Sequence, residues 1–313
     1  MGFISGIFGY LLNWLYEVFS NYGVAILIFS VILRVILIPI TIKQQKSMKK
    51  SAELQAEMSE IQKKYRNNPE KLNQETIELY KREKMSPFSG CLTSILQLII
   101  ILSVFWLVSQ PLTYMKKTDN NLIDAYTTEM KESGYNSNNS YVQIATIDYA
   151  ETKYQEISKQ LEQENVENRE ELVKKQQEYN QLRLNMEFLG IDLSKVPTQN
   201  LNDWRVYVIP VLYVITSIIS TKLTTVTQKK KQKQDIVVSG EEDNKEVDPT
   251  EQMQQMSNSM MYMIPVMSVM IAIIAPLGLA LYWLASNILM IIERLIINKV
   301  MEKDDNKEES SNG

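Results

Sequence analysis

Residues 24–42 read VAILIFSVILRVILIPITI, a run of nineteen residues that carries one charge, Arg34. A hydrocarbon core of ~30 Å requires a helix of ~17–25 predominantly apolar residues. Four further runs contain no charged residue, at 91–108, 206–220, 260–275 and 277–292. The sequence therefore predicts an all-α polytopic membrane protein with five transmembrane helices, although the chain as a whole is only 45% hydrophobic and has a net charge of −4.

The apolar runs and the polar stretches between them set the expected order of segments. These are an interfacial N-terminal helix at 1–21, spans at 22–42, 88–110, 206–222, 259–275 and 277–298, a cytoplasmic helical hairpin at 43–86, a long extracellular helical insertion at 111–205, a cytoplasmic linker at 223–258 and a cytoplasmic tail at 299–313. The first segment has no basic n-region, so we do not expect a signal peptide. Its Phe3, Tyr10 and Trp14 recur at helical spacing. Aromatic side chains of this kind are typical of the headgroup boundary of a membrane.

Charge indicates the orientation of the chain in the membrane. The 43–86 segment holds 11 Lys and Arg against 7 Glu, and it is short enough for the positive-inside rule to apply. That places it in the cytoplasm and the N-terminus outside. Five spans then leave the C-terminus in the cytoplasm, and the basic cluster at 229–233 agrees with this assignment.

Finer patterns divide the polar segments. The stretch 118–140 is rich in Asn, Ser and Thr and is expected to be a loop, whereas 148–186 is typical of an acidic helical hairpin that turns near 165–168. The polar stretch 235–251 is expected to be a disordered linker. A methionine stripe at 4-3-4-3 spacing, for which ordinary helix packing is the simplest interpretation, consists of Met256, Met260, Met263, Met267 and Met270.

The composition argues against enzymatic catalysis. The chain has no histidine and one cysteine, which excludes disulfide frameworks, Cys/His zinc sites and any histidine base. It contains no P-loop, G-x-S-x-G or G-x-G-x-x-G stretch. We therefore expect no catalytic residue, no cofactor, no metal site and no sequence-specific nucleic-acid recognition.

Arg34 is the most informative single residue. It lies ten residues after Val24 and nine before Lys43, so at ~1.5 Å per residue it sits near the middle of the bilayer. An arginine at that depth costs ~2.5–3.5 kcal/mol on insertion scales. No acidic residue lies in any of the five apolar runs. The pattern therefore favours an arginine that faces a water-filled cavity over one that is internally paired.

Other polar side chains fall inside the predicted spans. Gln97 lies in the second, and Trp283, Ser286 and Asn287 lie in the fifth. Such groups more often form hydrogen bonds between packed helices than line a groove. Together with Arg34 they could hydrate a cavity.

Four stretches resemble the YidC/Oxa/Alb family of membrane protein insertases in its bacterial form. The first, at 32–65, joins the single-arginine span to a basic hairpin, and SPFSGCLTSILQLII at 86–100 resembles the second family helix. FLGIDLS at 188–194 precedes the third helix. MMYMIPVMSVMIAIIAPLGLALYWLASN at 260–287 resembles the fourth and fifth.

The resemblance implies a fold, a function and a site. It implies insertion and folding of other membrane proteins through a hydrophilic groove that opens to the cytoplasm and to lipid, without nucleotide hydrolysis. Arg34 would be the groove arginine, and Gln97 and Trp283 polar groove positions. The implied partners are nascent membrane proteins and the lipid bilayer, with the ribosome, a targeting receptor and the Sec translocon.

Two other functions stay open on the sequence alone. An anion channel or transporter could use the intramembrane arginine, although the chain shows no internal repeat. A membrane scaffold could work through its two helical hairpins. Neutralising Arg34 separates the three, because it should block insertion, block ion flux or change nothing.

Overall fold

The computed structural model describes residues 2–66, 68–83, 89–135, 141–163, 168–235 and 270–311. Most of these residues are helical. The helices are α1 (Gly2–Phe19), α2 (Tyr22–Lys64), α3 (Pro69–Arg82), α4 (Ser89–Ser109), α5 (Pro111–Tyr114), α6 (Asn120–Glu132), α7 (Val142–Leu161), α8 (Arg169–Leu182), α9 (Val208–Asp235) and α10 (Leu277–Ser311). Two-residue strands β1 (Glu187–Phe188) and β2 (Ile191–Asp192) form an antiparallel hairpin, followed by 3-10 turns at Pro197–Gln199 and Trp204–Tyr207.

Three stretches of helix in the described residues are long and apolar enough to cross a membrane. They are Tyr22–Ser47, Trp204–Leu223 and Leu277–Ile297. Helix α4 occupies the place of the predicted second span, and its Leu98–Ser109 part is a shorter apolar helix. Most of the predicted span at 259–275, with the methionine stripe before Met270, lies outside the described residues. The count of five spans therefore stays a prediction.

Three long helices continue well beyond the apolar runs that predicted them. Helix α2 reaches Lys64, so the predicted boundary at 42/43 is not a break between a span and a hairpin. Helix α9 runs to Asp235 and α10 to Ser311, where the sequence suggested a linker from 223 and a tail from 299. Lys, Glu and Gln are good helix formers, and no proline interrupts any of the three extensions. A change from apolar to charged residues ends a span without ending a helix.

The chain divides into two compact units. The first comprises Met1–Leu33, Ile99–Thr216 and Ser268–Ile288, and the second comprises Arg34–Leu98, Ser217–Met267 and Leu289–Gly313.

In the first unit, α1 has one packed face and one exposed apolar face. Ser5 and Gly9 are on the packed face, where the Ser5 hydroxyl donates a hydrogen bond to the Ser103 carbonyl oxygen at 2.9 Å. A Cβ on Gly9 would lie 1.8 Å from the Tyr114 carbonyl oxygen, so only glycine permits this contact. The exposed face carries the aromatic residues that predicted an interfacial helix, and Phe3 is 81% exposed.

The insertion of the first unit is a helical subdomain built from α6, α7 and α8. The expectation of a loop at 118–140 is wrong over much of its length, because α6 occupies 120–132. Asp119 caps this helix by accepting a hydrogen bond from the Asn121 amide, and Ile123, Tyr126 and Met130 form its buried stripe. Three apolar residues at helical spacing outweigh a composition typical of loops.

Helices α7 and α8 form the antiparallel hairpin that the sequence predicted. The hairpin starts at Val142 rather than 148, and α8 begins directly after Asn168, whose φ of 60° is left-handed. Arg183 binds both carboxylate oxygens of Glu151, at 2.6 and 3.0 Å, just after α8 ends. Burial by itself would raise the pKa of Glu151, but this pairing holds it below its ordinary value.

A network of tyrosines and carboxylates joins the three helices. The Tyr179 and Tyr149 hydroxyls both donate to Glu129 of α6, and the Tyr126 hydroxyl donates to Glu178 of α8. Burial, followed by the bond to Glu129, raises the pKa of Tyr179 far above its ordinary value. Satisfied buried polar networks specify one packing arrangement, so this subdomain has a defined internal geometry.

In the second unit, the end of α2 and α3 form another hairpin, with fewer buried apolar residues among the side chains that the structure describes. Asn68 caps α3 by accepting a hydrogen bond from the Lys71 amide at 3.1 Å, and Pro69 occupies the first turn. Leu54 and Leu79 are its buried apolar residues among the side chains described. The hairpin is also tied by an ion pair between Arg82 and Glu57, whose side chains are 63% and 51% exposed.

Candidate intramembrane arginine site

Arg34 forms an ion pair inside the membrane-spanning region. Its Nη1 lies 3.2 Å from Oε2 of Glu293, which belongs to α10. The Arg34 side chain is 17% exposed and the Glu293 side chain 7%. The expectation of an arginine without an acidic partner is therefore wrong. The apolar run 277–292 ends one residue before Glu293, but the helix continues and carries this carboxylate to α2.

The pair is electrostatic and lacks the fork geometry that Arg and a carboxylate can adopt. Neither Glu293 oxygen makes a hydrogen bond to a residue that the structure describes. Removing one partner of a buried ion pair costs ~3–5 kcal/mol, because the other charge is left uncompensated. The attraction falls slowly with distance, whereas a bidentate bond has strict geometric requirements. The contact therefore holds both charges in the bilayer without fixing one arrangement of them.

Two of the predicted polar residues contact α9 in the first unit. The Asn287 amide nitrogen lies 3.3 Å from the Thr216 hydroxyl oxygen and donates to it, and Asn287 is almost fully buried. The Trp283 ring is 6.3 Å from that of Tyr213. These contacts are the interhelical packing that the sequence left open as the plainer interpretation of such residues.

The remaining predicted residues are placed as follows. Ser286 is half-buried on α10, while the side chain of Gln97 on α4 lies outside the described part of the chain. Trp283, Ser286 and Asn287 belong to the first unit, whereas Arg34 and Glu293 belong to the second. The residue that sequence reasoning missed is Glu293. Its signal was a carboxylate one position after an uncharged run with no helix breaker between them.

A polar cavity of about 220 Å³ lies in the insertion, against Asp148 and Lys195. The Lys195 ammonium lies 3.4 Å from Asp148 and 3.6 Å from Asp192, and the Tyr135 hydroxyl donates to Asp148. These charged groups already satisfy one another, which favours a structural role. Within the described residues, no three His, Cys, Asp or Glu side chains converge to hold a metal ion.

The fold and the site define a multi-pass helical membrane protein with a paired arginine in its membrane-spanning part. Residues 14–305 match the sequence profile described as the 60Kd inner membrane protein. The chain therefore belongs to that family, as the four sequence stretches predicted.

Similar proteins carry the name membrane protein insertase YidC. The one from Caldanaerobacter subterraneus is 44% identical over 105 residues, which are 34% of this chain and 51% of the relative. The one from Fusobacterium nucleatum is 41% identical over 96 residues, 31% of this chain and 47% of the relative. The one from Treponema denticola is 25% identical over 288 residues, 92% of this chain and 36% of the relative. The matched parts thus span about half of these relatives or less.

Proposed function

We propose that this chain inserts other membrane proteins into the bacterial cell membrane and helps them fold, without hydrolysing nucleotide. The observation that carries the proposal is the arginine in a membrane span, which keeps 17% of its side chain exposed. Burial of such a charge is costly, and intramembrane charges commonly mark transport pathways. Membership in the family and the names of its relatives point the same way.

In the proposed mechanism, a hydrophilic groove lowers the barrier for a polar client tail. An incoming acidic N-terminal tail exchanges bulk water for Arg34 partway across the bilayer. At a separation of ~4 Å this attraction amounts to ~1 kcal/mol in water and ~4 kcal/mol at an effective dielectric near 20. That range favours entry and still permits release. The client's apolar segment then moves into lipid, and its hydrophobic transfer drives the step.

The proposed groove takes its polar positions from the family resemblance. They are Arg34, Gln97, Trp283, Ser286 and Asn287. The proposed partners are nascent membrane proteins and lipid, together with the ribosome, a targeting receptor and the Sec translocon. The proposed orientation has the N-terminus outside and the C-terminus in the cytoplasm.

The decisive experiment is rescue of insertase-depleted bacteria by this gene. Wild type should restore growth and insertion of small clients, Arg34→Ala should lose most of both, and Arg34→Lys should retain part because it keeps the charge. Glu132→Gln, an exposed carboxylate at the end of α6, serves as a matched control. Normal rescue by Arg34→Ala would reject the mechanism. Normal insertion with a lost anion flux would favour a channel, and no change in either would favour a scaffold.

Orientation is tested with single cysteines in a Cys91→Ser background. An impermeant thiol reagent on intact cells should label position 162, at the end of α7, and leave position 64, at the end of α2, unlabelled. After the cells are permeabilised, both positions should react. Labelling of position 64 in intact cells would reverse the proposed orientation.

A further inference from the structure

Glu293 is the member of the charged pair that the proposed function does not require. An insertase that acts through the positive charge of Arg34 gains nothing from a carboxylate 3.2 Å away that compensates that charge. Both groups also lose hydration in the membrane-spanning part, and the Glu293 side chain is only 7% exposed. Beyond compensating the buried charge, Glu293 is placed to change how Arg34 responds to a client.

The geometry of the pair suits exchange. Glu293 contributes an ion pair without a hydrogen bond to any described residue, so its carboxylate can move away from Arg34 with no loss of a directional contact. An incoming carboxylate can take its place, and Arg34 keeps a counter-ion throughout. The displaced Glu293 has then lost Arg34 in a poorly hydrated position, where the neighbouring Arg294 still attracts it, and it repels the client's carboxylate. Glu293 therefore opposes binding of the client's carboxylate to Arg34 as soon as the exchange has occurred.

We propose that Glu293 is an internal competitor for the acidic groups of client tails and a specificity-determining residue of the insertase site. It sets how acidic a tail must be to engage Arg34, because a single client carboxylate only replaces a carboxylate already there. It also expels the tail, since return of Glu293 restores a neutral pair. This inference rests on the proposed function and adds to it the residue that tunes both client choice and release.

A charge cycle on the pair isolates this role. Four proteins are compared: wild type, Glu293→Gln, Arg34→Gln and the double variant, since glutamine keeps the shape of glutamate and a polar group. Each inserts two versions of one small client into membranes, with either one Asp or one Asn in the translocated tail. The readout is the ratio of insertion rates, Asp tail over Asn tail, within each variant.

Distinct ratios are expected. Glu293→Gln should raise the Asp-to-Asn ratio by about tenfold over wild type, equivalent to ~1.4 kcal/mol, because the Glu293 carboxylate then no longer competes for Arg34. Arg34→Gln should lower the ratio below one, because Glu293, having lost Arg34, repels the Asp tail. The double variant should return the ratio to about one and insert the Asp tail faster than Arg34→Gln does. Glu132→Gln should match wild type.

A purely structural ion pair predicts a different outcome. It would change the amount of folded protein and slow both clients equally, so that the ratio within each variant would not move. Should Glu293→Gln fail to accumulate in membranes, Glu293→Asp keeps the charge but withdraws it by one methylene. That variant should give a ratio between wild type and the tenfold increase, whereas a structural role predicts the wild-type ratio.

The failures of the two proposals are distinguishable. If Arg34→Gln impairs insertion while the Glu293 variants keep the wild-type ratio, the competitor role is rejected and the insertase function stands. If wild type inserts neither client, or Arg34→Gln inserts both as wild type does, the proposed mechanism itself is rejected. A raised ratio in Glu293→Gln, with recovery in the double variant, supports both.

Discussion

The protein contains two antiparallel helical hairpins that differ sharply in how they are held together. The α7–α8 hairpin buries Ile157, Tyr179 and Leu182 and packs against α6. The hairpin formed by the end of α2 and α3 buries Leu54 and Leu79 among its described side chains, and its Arg82–Glu57 pair is more than half exposed. Their sequences look alike, since both are charged helices with thin apolar stripes.

A third helix distinguishes the α7–α8 hairpin from the α2–α3 hairpin. Helix α6 supplies Glu129, which accepts hydrogen bonds from tyrosines of both α7 and α8. For the α2–α3 hairpin, the described side chains form contacts within the hairpin itself, such as the pair of Arg82 with Glu57. Local stability follows buried apolar contact and satisfied polar groups, so the α2–α3 hairpin should open more readily. A mobile α2–α3 hairpin would suit the proposed binding of clients, whereas a rigid α7–α8 hairpin would keep the geometry of its subdomain fixed.

The largest effect is expected from deleting residues 55–78, which removes most of the α2–α3 hairpin. The three apolar stretches long enough to cross the membrane lie outside the deleted residues, so the variant should reach the membrane in near-normal amount. Client insertion in depleted cells should nevertheless be lost. Immunoblots of membrane fractions and a client insertion assay measure the two quantities. Full activity of a stably present deletion variant would make the hairpin only a linker.

Next in size is Leu182→Ala, at the end of α8. Leu182 is fully buried, and truncation of such a leucine costs ~2–5 kcal/mol. Hydrogen exchange should show lost protection across α6, α7 and α8 together. Leu79→Ala in α3 is the matched change, and we expect a smaller loss confined to the α2–α3 hairpin, where Leu54 and Leu79 are the buried apolar residues among the side chains described. An equal loss at both sites would remove the contrast between the hairpins.

A smaller effect should follow acidification through the Glu151–Arg183 pair. The pKa of Glu151 is lower in the folded protein than its ordinary value of 4.5. Its contribution to stability is therefore present above that value and is lost as pH falls through the lower, folded pKa. Amide exchange of α7 and α8, corrected for intrinsic rates, should accelerate below pH ~4 in wild type. Glu151→Gln should lack this acid-dependent part, and identical pH profiles would contradict the assignment.

The smallest effects are expected at the exposed end of the α2–α3 hairpin. Arg82→Gln removes a solvent-exposed pair, and such pairs contribute little to stability. Pro69→Ala should cost at most ~0.4–1 kcal/mol, through a more flexible unfolded chain. Hydrogen exchange of α3 is the measurement for both, and client insertion should stay at the wild-type level. A large loss from either change would show that this hairpin is more tightly built than its burial indicates.

The sequence predicted the helical membrane class, the family and the α7–α8 hairpin from local patterns. It failed at α6, because Asn, Ser and Thr outnumbered the apolar residues that make its buried stripe. It also did not show that α2, α9 and α10 continue as helices beyond the apolar runs. Helix continuation depends on backbone hydrogen bonds and propensity, which a hydropathy run does not measure.

What the sequence determined by itself is the set of apolar runs and the position of one arginine within the first of them, because the bilayer selects for length and polarity along a single helix. Only the tertiary structure decided that Glu293 would lie beside Arg34. The two residues are far apart in the chain, and their contact depends on the register in which α2 and α10 pack. The energy of an ion pair depends on the distance between the two charged groups and not on their separation in the sequence. No local sequence pattern could therefore have specified this pair.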